Sequence, residues 1–142
     1  MALEISLKAD WNGGVDGKGR IVAEDAAFDI AIPKPYGGAG TDTHPKELLV
    51  AAAQACFLAT LRGITAMNKL PVEHLSVETK AEAGDTFKIS HQAEITLPAG
   101  SGEAEVTKAE ALLEKADAIC EVGNLVRKAG VQITMIPTVK IA

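Results

Sequence analysis

From Leu48 to Leu61 the chain is apolar at every position except Gln54 and Thr60. No other stretch limits the fold so strongly. The run is shorter than the roughly 20 residues needed to span a bilayer, so it reads as a buried helix rather than a membrane span. Thr43 is placed to cap such a helix, Pro45 suits its first turn, and Glu47 stands near the positive end of its dipole. Leu49, Ala53, Cys56, Thr60, Gly63 and Met67 recur at alternating spacings of four and three and form one stripe. The opposite face, with Leu48, Ala52, Ala55 and Leu58, is apolar too. A helix apolar on nearly all sides is a central one. Its alanines allow neighbouring elements to approach closely, and Asn68-Lys69-Leu70-Pro71 ends it.

The rest of the chain must supply the walls around that helix. Before it, Ile5, Leu7 and Ala9 alternate with polar residues, which predicts a strand. Gly13, Gly14, Gly17 and Gly19 punctuate a turn, and Ile21–Ala23 and Phe28–Ile32 read as two further strands. An irregular loop over Pro33, Pro35, Gly37, Gly38 and Gly40 follows. After the helix comes a hairpin: Leu75, Val77, Thr79 and Ala81, then Phe87, Ile89, Ala93, Ile95 and Leu97, joined at Gly84-Asp85. One face of the hairpin is apolar and the other polar, so its sheet faces water on one side. Residues 106–118 read as an amphipathic helix, Cys120 to about Lys128 as a shorter one, and Val131 to Ile141 as a last strand interrupted or ended near Pro137. The predicted order is β-β-β-α-β-β-α-α-β, an α+β fold with antiparallel sheets and a central buried helix. At 142 residues it is read as a single domain, 1–142.

The formal net charge of −5 argues against a general nucleic-acid binder. No secretory signal pattern is visible, and cysteines are few; both readings place the protein in the cytoplasm, where a structural disulfide would be unusual. Cys56 and Cys120 are too far apart in sequence to be a CxxC pair or a zinc cluster, and the three histidines are dispersed, so no metal is expected. Cys56, inside an alanine-rich helix, reads first as a small packing residue. Cys120 opens a helix, where free N–H groups and the dipole favour a thiolate. His44 reads as a capping or surface residue, and His74 and His91 as structural or solvated ones. Trp11 reads as a packing residue, and Glu103, Glu105, Glu110 and Glu114 as a solvated helix face.

The segment Gly40-Thr41-Asp42-Thr43-His44-Pro45-Lys46-Glu47-Leu48-Leu49, continuing through Ala51-Ala52-Ala53-Gln54-Ala55-Cys56-Phe57, resembles the signature of the OsmC/Ohr family of organic hydroperoxide reductases. Ala9-Asp10-Trp11-Asn12-Gly13 with Gly17-Lys18-Gly19 looks like that family's first strand and turn. The run from Ala116 to Asn124 is similar to its second cysteine motif. The resemblance implies an OsmC-like fold, an intertwined homodimer, and thiol peroxidase chemistry. Cys56 would attack the peroxide, its sulfenic acid would condense with Cys120, and an external dithiol of lipoyl type would restore the pair with no bound cofactor. Phe57, Leu58 and Leu61 would favour apolar organic peroxides.

The chain departs from the family pattern in two places. The family glutamate position, ten residues before the first cysteine, holds Lys46, and Glu47 matches only the second acidic position. The two places where family members carry an activating arginine hold Val15 and Tyr36; Lys18, Arg20 and Lys34 lie nearby as substitutes. Ten helical residues span about 15 Å, so Lys46 could reach a Cys56 only across a dimer. Two other readings stand beside the peroxidase: a non-catalytic binder of a small apolar ligand on the same fold, and a redox sensor.

Overall fold

The computed structural model describes residues 2–142, which divide into two compact units, 2–49 and 50–142. The first holds an antiparallel sheet of β1 (Lys8–Asn12), β2 (Lys18–Val22) and β3 (Ala27–Ile30), in that order. Trp11 lies opposite Gly19, and a Cβ at Gly19 would stand 2.7 Å from both the Trp11 ring and Ile30. Only glycine lets the indole cross the strand there. The first strand starts later than the alternation predicts. Its partner β2 ends at Val22, opposite Lys8, so Ile5 and Leu7 run past the end of the ladder and stay 76 % and 60 % exposed. The third strand also stops early, at Ile30. Beyond it the Ala31 N–H donates to the Thr43 carbonyl and the Gly40 N–H to that of Ile32, which folds the glycine-rich loop back on itself.

Helix α1 spans Pro45–Met67. Its cap is His44 rather than the predicted Thr43: the Glu47 N–H donates to His44 Nδ1 at 3.3 Å, while the Thr43 hydroxyl donates to the Glu47 carboxylate. At 23 residues it is long and apolar enough, by length and composition, to cross a membrane, longer than the apolar run alone suggested. Phe57, Leu61 and Ile64 pack instead into a core with residues of the sheet and helices of its own unit. The expectation of burial on nearly all sides is corrected. Ala53, Phe57, Leu61, Ile64 and Thr65 are buried, but Ala52, Ala55, Ala59, Gly63 and Ala66 are exposed. An alanine-rich face has no long side chains to draw the rest of one chain over it.

The second unit is built on β4 (His74–Ala83), β5 (Phe87–Leu97) and β6 (Gln132–Ile141), in that order, with α2 (Glu103–Ile119) and α3 (Glu121–Lys128) between β5 and β6. The hairpin has the predicted register, with Val77 opposite Ala93. The sheet is mixed, not wholly antiparallel, because β6 runs parallel to β5. Two helices carry the chain back to the end where β5 began, and a crossover of that kind makes neighbours parallel. Pro137 does not interrupt β6. It sits opposite Ala93 on an edge strand, where a missing N–H can face outward. Helix α2 begins earlier than predicted, because the Glu105 carboxylate accepts the Gly102 N–H at 2.9 Å and stabilises an extra turn. Ile89, Ala93, Ile95 and Leu97 of β5 are buried, as are Ala109, Leu112, Leu113 and Ala116 of α2.

Candidate active site

Helix α1 carries Cys56 at a half-buried position, one residue before the buried Phe57. Cys120 stands at the corner between α2 and α3. It ends the first helix and caps the second in an extended conformation, with φ −62° and ψ 110°. Both thiols are free, and the fold makes them close enough neighbours for each to influence the other's pKa.

The corner treats the two sulfurs differently. Burial raises the Cys56 pKa, but four donors outweigh it: the Val122 N–H, the Cys120 thiol, the Thr60 hydroxyl and the Glu121 N–H. The net effect holds Cys56 below the ordinary thiol value of 9.0. The Val122 N–H lies 3.5 Å from the Cys56 sulfur. Cys120 is only 3 % exposed, and burial is the largest influence on it. The Gly123 N–H offsets part of that, while Cys56 and the Asp117 charge add to it, and its pKa is pushed up to about 11. The start of α3 therefore lowers the pKa of Cys56. The expectation that it would favour a thiolate at Cys120 is reversed, because burial of that sulfur outweighs the Gly123 N–H that reaches it, while the Val122 N–H is turned across the corner to the other sulfur.

Gly123 keeps the corner tight. A Cβ there would stand 3.2 Å from the Cys120 sulfur and 3.5 Å from Ile133. The Asn124 side chain donates to the Ala118 carbonyl at 2.8 Å and so satisfies one of the open carbonyls at the end of α2. Deeper in, His91 is 2 % exposed, accepts or donates at Nδ1 with the Thr79 hydroxyl at 2.8 Å, and stacks on Phe57 at 5.3 Å. Burial lowers its pKa; the Asp117 charge opposes this and Arg127 reinforces it. The structural reading of His91 fits this position. His74, at the start of β4, is exposed.

The other candidates lie in the first unit. Lys46 Nζ is 3.5 Å from the Tyr36 hydroxyl and 5.7 Å from the centre of its ring. Glu47 is engaged by Thr43, and Arg20 pairs with Asp29 at 2.7 Å. Lys18 bridges Asp29 and Asp42 at 3.4 and 3.5 Å. Lys34 is exposed beside Gly40, and Val15 is exposed. Three groups at the thiols escaped sequence reading. Thr60 lies four residues after Cys56 and so on the same face of α1, a spacing that could have flagged it. The backbone N–H groups of Glu121 and Val122 carry no side-chain signal.

Residues 38–136 match the model of a family described as OsmC-like protein. The chain belongs to the OsmC-like family. It is 32 % identical over 117 residues to the organic hydroperoxide resistance protein of Xanthomonas axonopodis pv. citri, covering 78 % of this chain and 80 % of that one. It is 28 % identical over 141 residues to the uncharacterized protein YmaD of Bacillus subtilis, covering 95 % and 93 %. The crystal structure of an organic hydroperoxide resistance protein OsmC from Legionella pneumophila superposes with a TM-score of 0.71 at 25 % identity, over 99 % of both chains. The α+β architecture with its two small sheets is that of OsmC-like proteins, as the resemblance implied.

Proposed function

We propose that this OsmC-like protein is a thiol peroxidase that reduces organic hydroperoxides. One observation carries the reading: a half-exposed thiol whose pKa is lowered by hydrogen-bond donors neighbours a second, buried thiol whose pKa is raised to about 11. The thiolate is the nucleophile in peroxide reduction, and a neighbouring thiol traps the sulfenic acid before further oxidation. The names of relatives add support, since several are organic hydroperoxide resistance proteins.

In the proposed cycle the Cys56 thiolate attacks the distal oxygen of ROOH. The O–O bond breaks, the alkoxide leaves and takes a proton as ROH, and Cys56 becomes a sulfenic acid. The Cys120 sulfur then attacks the Cys56 sulfur; the S–O bond breaks and water leaves as the disulfide forms. An external dithiol, of the lipoyl type the family implies, returns two electrons and two protons. Cys120, with a pKa of about 11, is rarely ionised, and proximity to the Cys56 sulfur offsets that small thiolate fraction. A cytoplasmic setting fits a pair that must be reduced after each turnover. We further propose a homodimer, whose second copy would cover the exposed alanine face of α1.

The test is a thiol titration of reduced protein before and after one equivalent of cumene hydroperoxide, with Cys56→Ser as control. Loss of both thiols per chain, absent in the control, supports the peroxidase. Persistence of both thiols over minutes overturns it and leaves a binding module of the same fold as the better reading.

A further inference from the structure

Cys120 is held by a corner, and the corner is held by Arg127. From α3, Arg127 Nη2 donates to Asp117 Oδ1 at 2.9 Å and to the Ile133 carbonyl at 3.3 Å. Its Nη1 donates to the Asp117 carbonyl at 3.2 Å and to Asn124 Oδ1 at 3.0 Å. One guanidinium thus ties the last turn of α2, the body of α3 and the start of β6. The Asn124 amide, oriented by Arg127, reaches on to the Ala118 carbonyl. Cys120 is the hinge residue inside this ring of bonds; its backbone is extended, and its carbonyl accepts the Asn124 N–H at 2.9 Å, so it moves with the start of α3. Arg127 and Asp117 are both about a quarter exposed, so the pair is partly shielded from solvent, and the guanidinium holds Asp117 twice, once at the carboxylate and once at the backbone carbonyl. A lysine could not reproduce a fork that serves four acceptors.

We propose that Arg127 is a positioning residue for disulfide formation: through Asp117, Asn124 and the Ile133 carbonyl it fixes the α2–α3 corner so that Cys120 faces Cys56 and the Val122 N–H points at the Cys56 sulfur. It touches neither sulfur and acts on both through the corner. The assignment is reached by way of the peroxidase reading, but it concerns the thiol pair itself and can be read without any peroxide.

The experiment equilibrates the full-length protein in glutathione redox buffers and measures the constant for Cys56–Cys120 disulfide formation. In that exchange glutathione disulfide is reduced to two thiols as the protein's two thiols are oxidised. Wild type, Arg127→Met, Arg127→Lys and Leu75→Ala are compared, with the melting temperature of each reduced protein as the measure of stability. Leu75→Ala thins the core from β4 and reports what destabilisation alone does. Arg127→Met is expected to lower the constant about tenfold or more, as small misplacements of reacting groups do. Arg127→Lys is expected to fall between, and Leu75→Ala to leave the constant at the wild-type value. The Cys56 sulfenic acid, trapped with dimedone after peroxide addition, should also persist longer in Arg127→Met. A folded Arg127→Met with the wild-type constant overturns the assignment, as does an equal loss in Leu75→Ala. If Arg127→Met does not fold, Arg127→Lys carries the same comparison, and a wild-type constant there overturns it. Should wild type keep both thiols under peroxide while the Arg127 variants still shift the glutathione equilibrium, the peroxidase reading fails and the role of Arg127 stands.

Discussion

Cys56 rides along α1, half-buried, with backbone N–H groups of α3 at its sulfur, whereas Cys120 sits at a helix corner, almost wholly buried, beside the negative charge of Asp117. Both thiols feel burial as the largest influence, and it acts in the same direction on each. The difference lies in what compensates. Four donors converge on Cys56, and the principal offset at Cys120 is the Gly123 N–H. Hydrogen bonds to the charged form of a group favour that form, so the pair separates into a more acidic and a less acidic thiol, as the proposed nucleophile and resolving thiol require. The start of one short helix serves both sulfurs unequally, and this asymmetry is what the proposed redox pair rests on.

Removing the favoured sulfur breaks the comparison most completely. Cys56→Ser is expected to reduce peroxide consumption to background, checked by following loss of cumene hydroperoxide; a variant that retained turnover would show that Cys120 can attack alone. Cys120→Ser should come next. It leaves the first step intact, but thiol loss falls from two per chain to one, and mass spectrometry should find sulfinic acid on Cys56 after excess peroxide.

Two smaller changes sharpen the comparison by weakening the donors. Glu121→Pro removes one N–H from the Cys56 sulfur at the first position of α3, where proline is well tolerated and the residue before it is already extended. Thr60→Val removes the hydroxyl. Each should slow the reaction about two- to tenfold at neutral pH, the range one hydrogen bond covers, with Glu121→Gln as the control for the lost side chain. Ultraviolet titration of thiolate absorbance should show two steps in the wild type, one below 9.0 and one near 11, belonging to the pair as a whole, and the first step should move up in both variants.

The smallest effect concerns the support beneath Cys56. His91, stacked on Phe57, has a pKa below its ordinary 6.5 because burial disfavours its charged form. The unfolded chain therefore binds a proton more readily than the fold does. Stability from this group is complete above 6.5 and is lost as pH falls through that value towards the lowered folded one. Melting temperature should drop by a few degrees between pH 7.5 and 5, and His91→Gln should flatten that part of the slope.

Much of this was legible along the chain. The β4–β5 hairpin follows from strict alternation about Gly84-Asp85, and both helices after it from their periodicity. The Pro45-to-Cys56 block and the run ending at Gly123-Asn124 point to the same family that residues 38–136 match. The candidate thiols were visible for the same reason: cysteine is rare here, and each stands in a recognisable run. Elsewhere local pattern failed. Alternation put Ile5 and Leu7 in a strand, but a strand exists only where a partner runs beside it, and β2 ends opposite Lys8. An apolar helix implied cover on every side, yet one chain covers only the face that carries Phe57, Leu61 and Ile64. Pro137 suggested a break, but an edge strand needs N–H groups on one side only.

The sequence by itself determined the elements, most of their ends, the family and the two sulfurs, because periodicity, capping residues and short motifs are local and survive translation along a chain. Tertiary structure alone decided how the two sulfurs differ in acidity. That depends on where the N–H groups of Glu121 and Val122 point and on how deeply Cys120 is buried. Backbone donors are the same in every residue, so no letter in the sequence records their aim. The return of two helices made β6 parallel, and the fork of Arg127 closed the corner on Asp117, Asn124 and Ile133. Direction and burial are properties of the packed chain, and they set the protonation of a thiol that the sequence could only name.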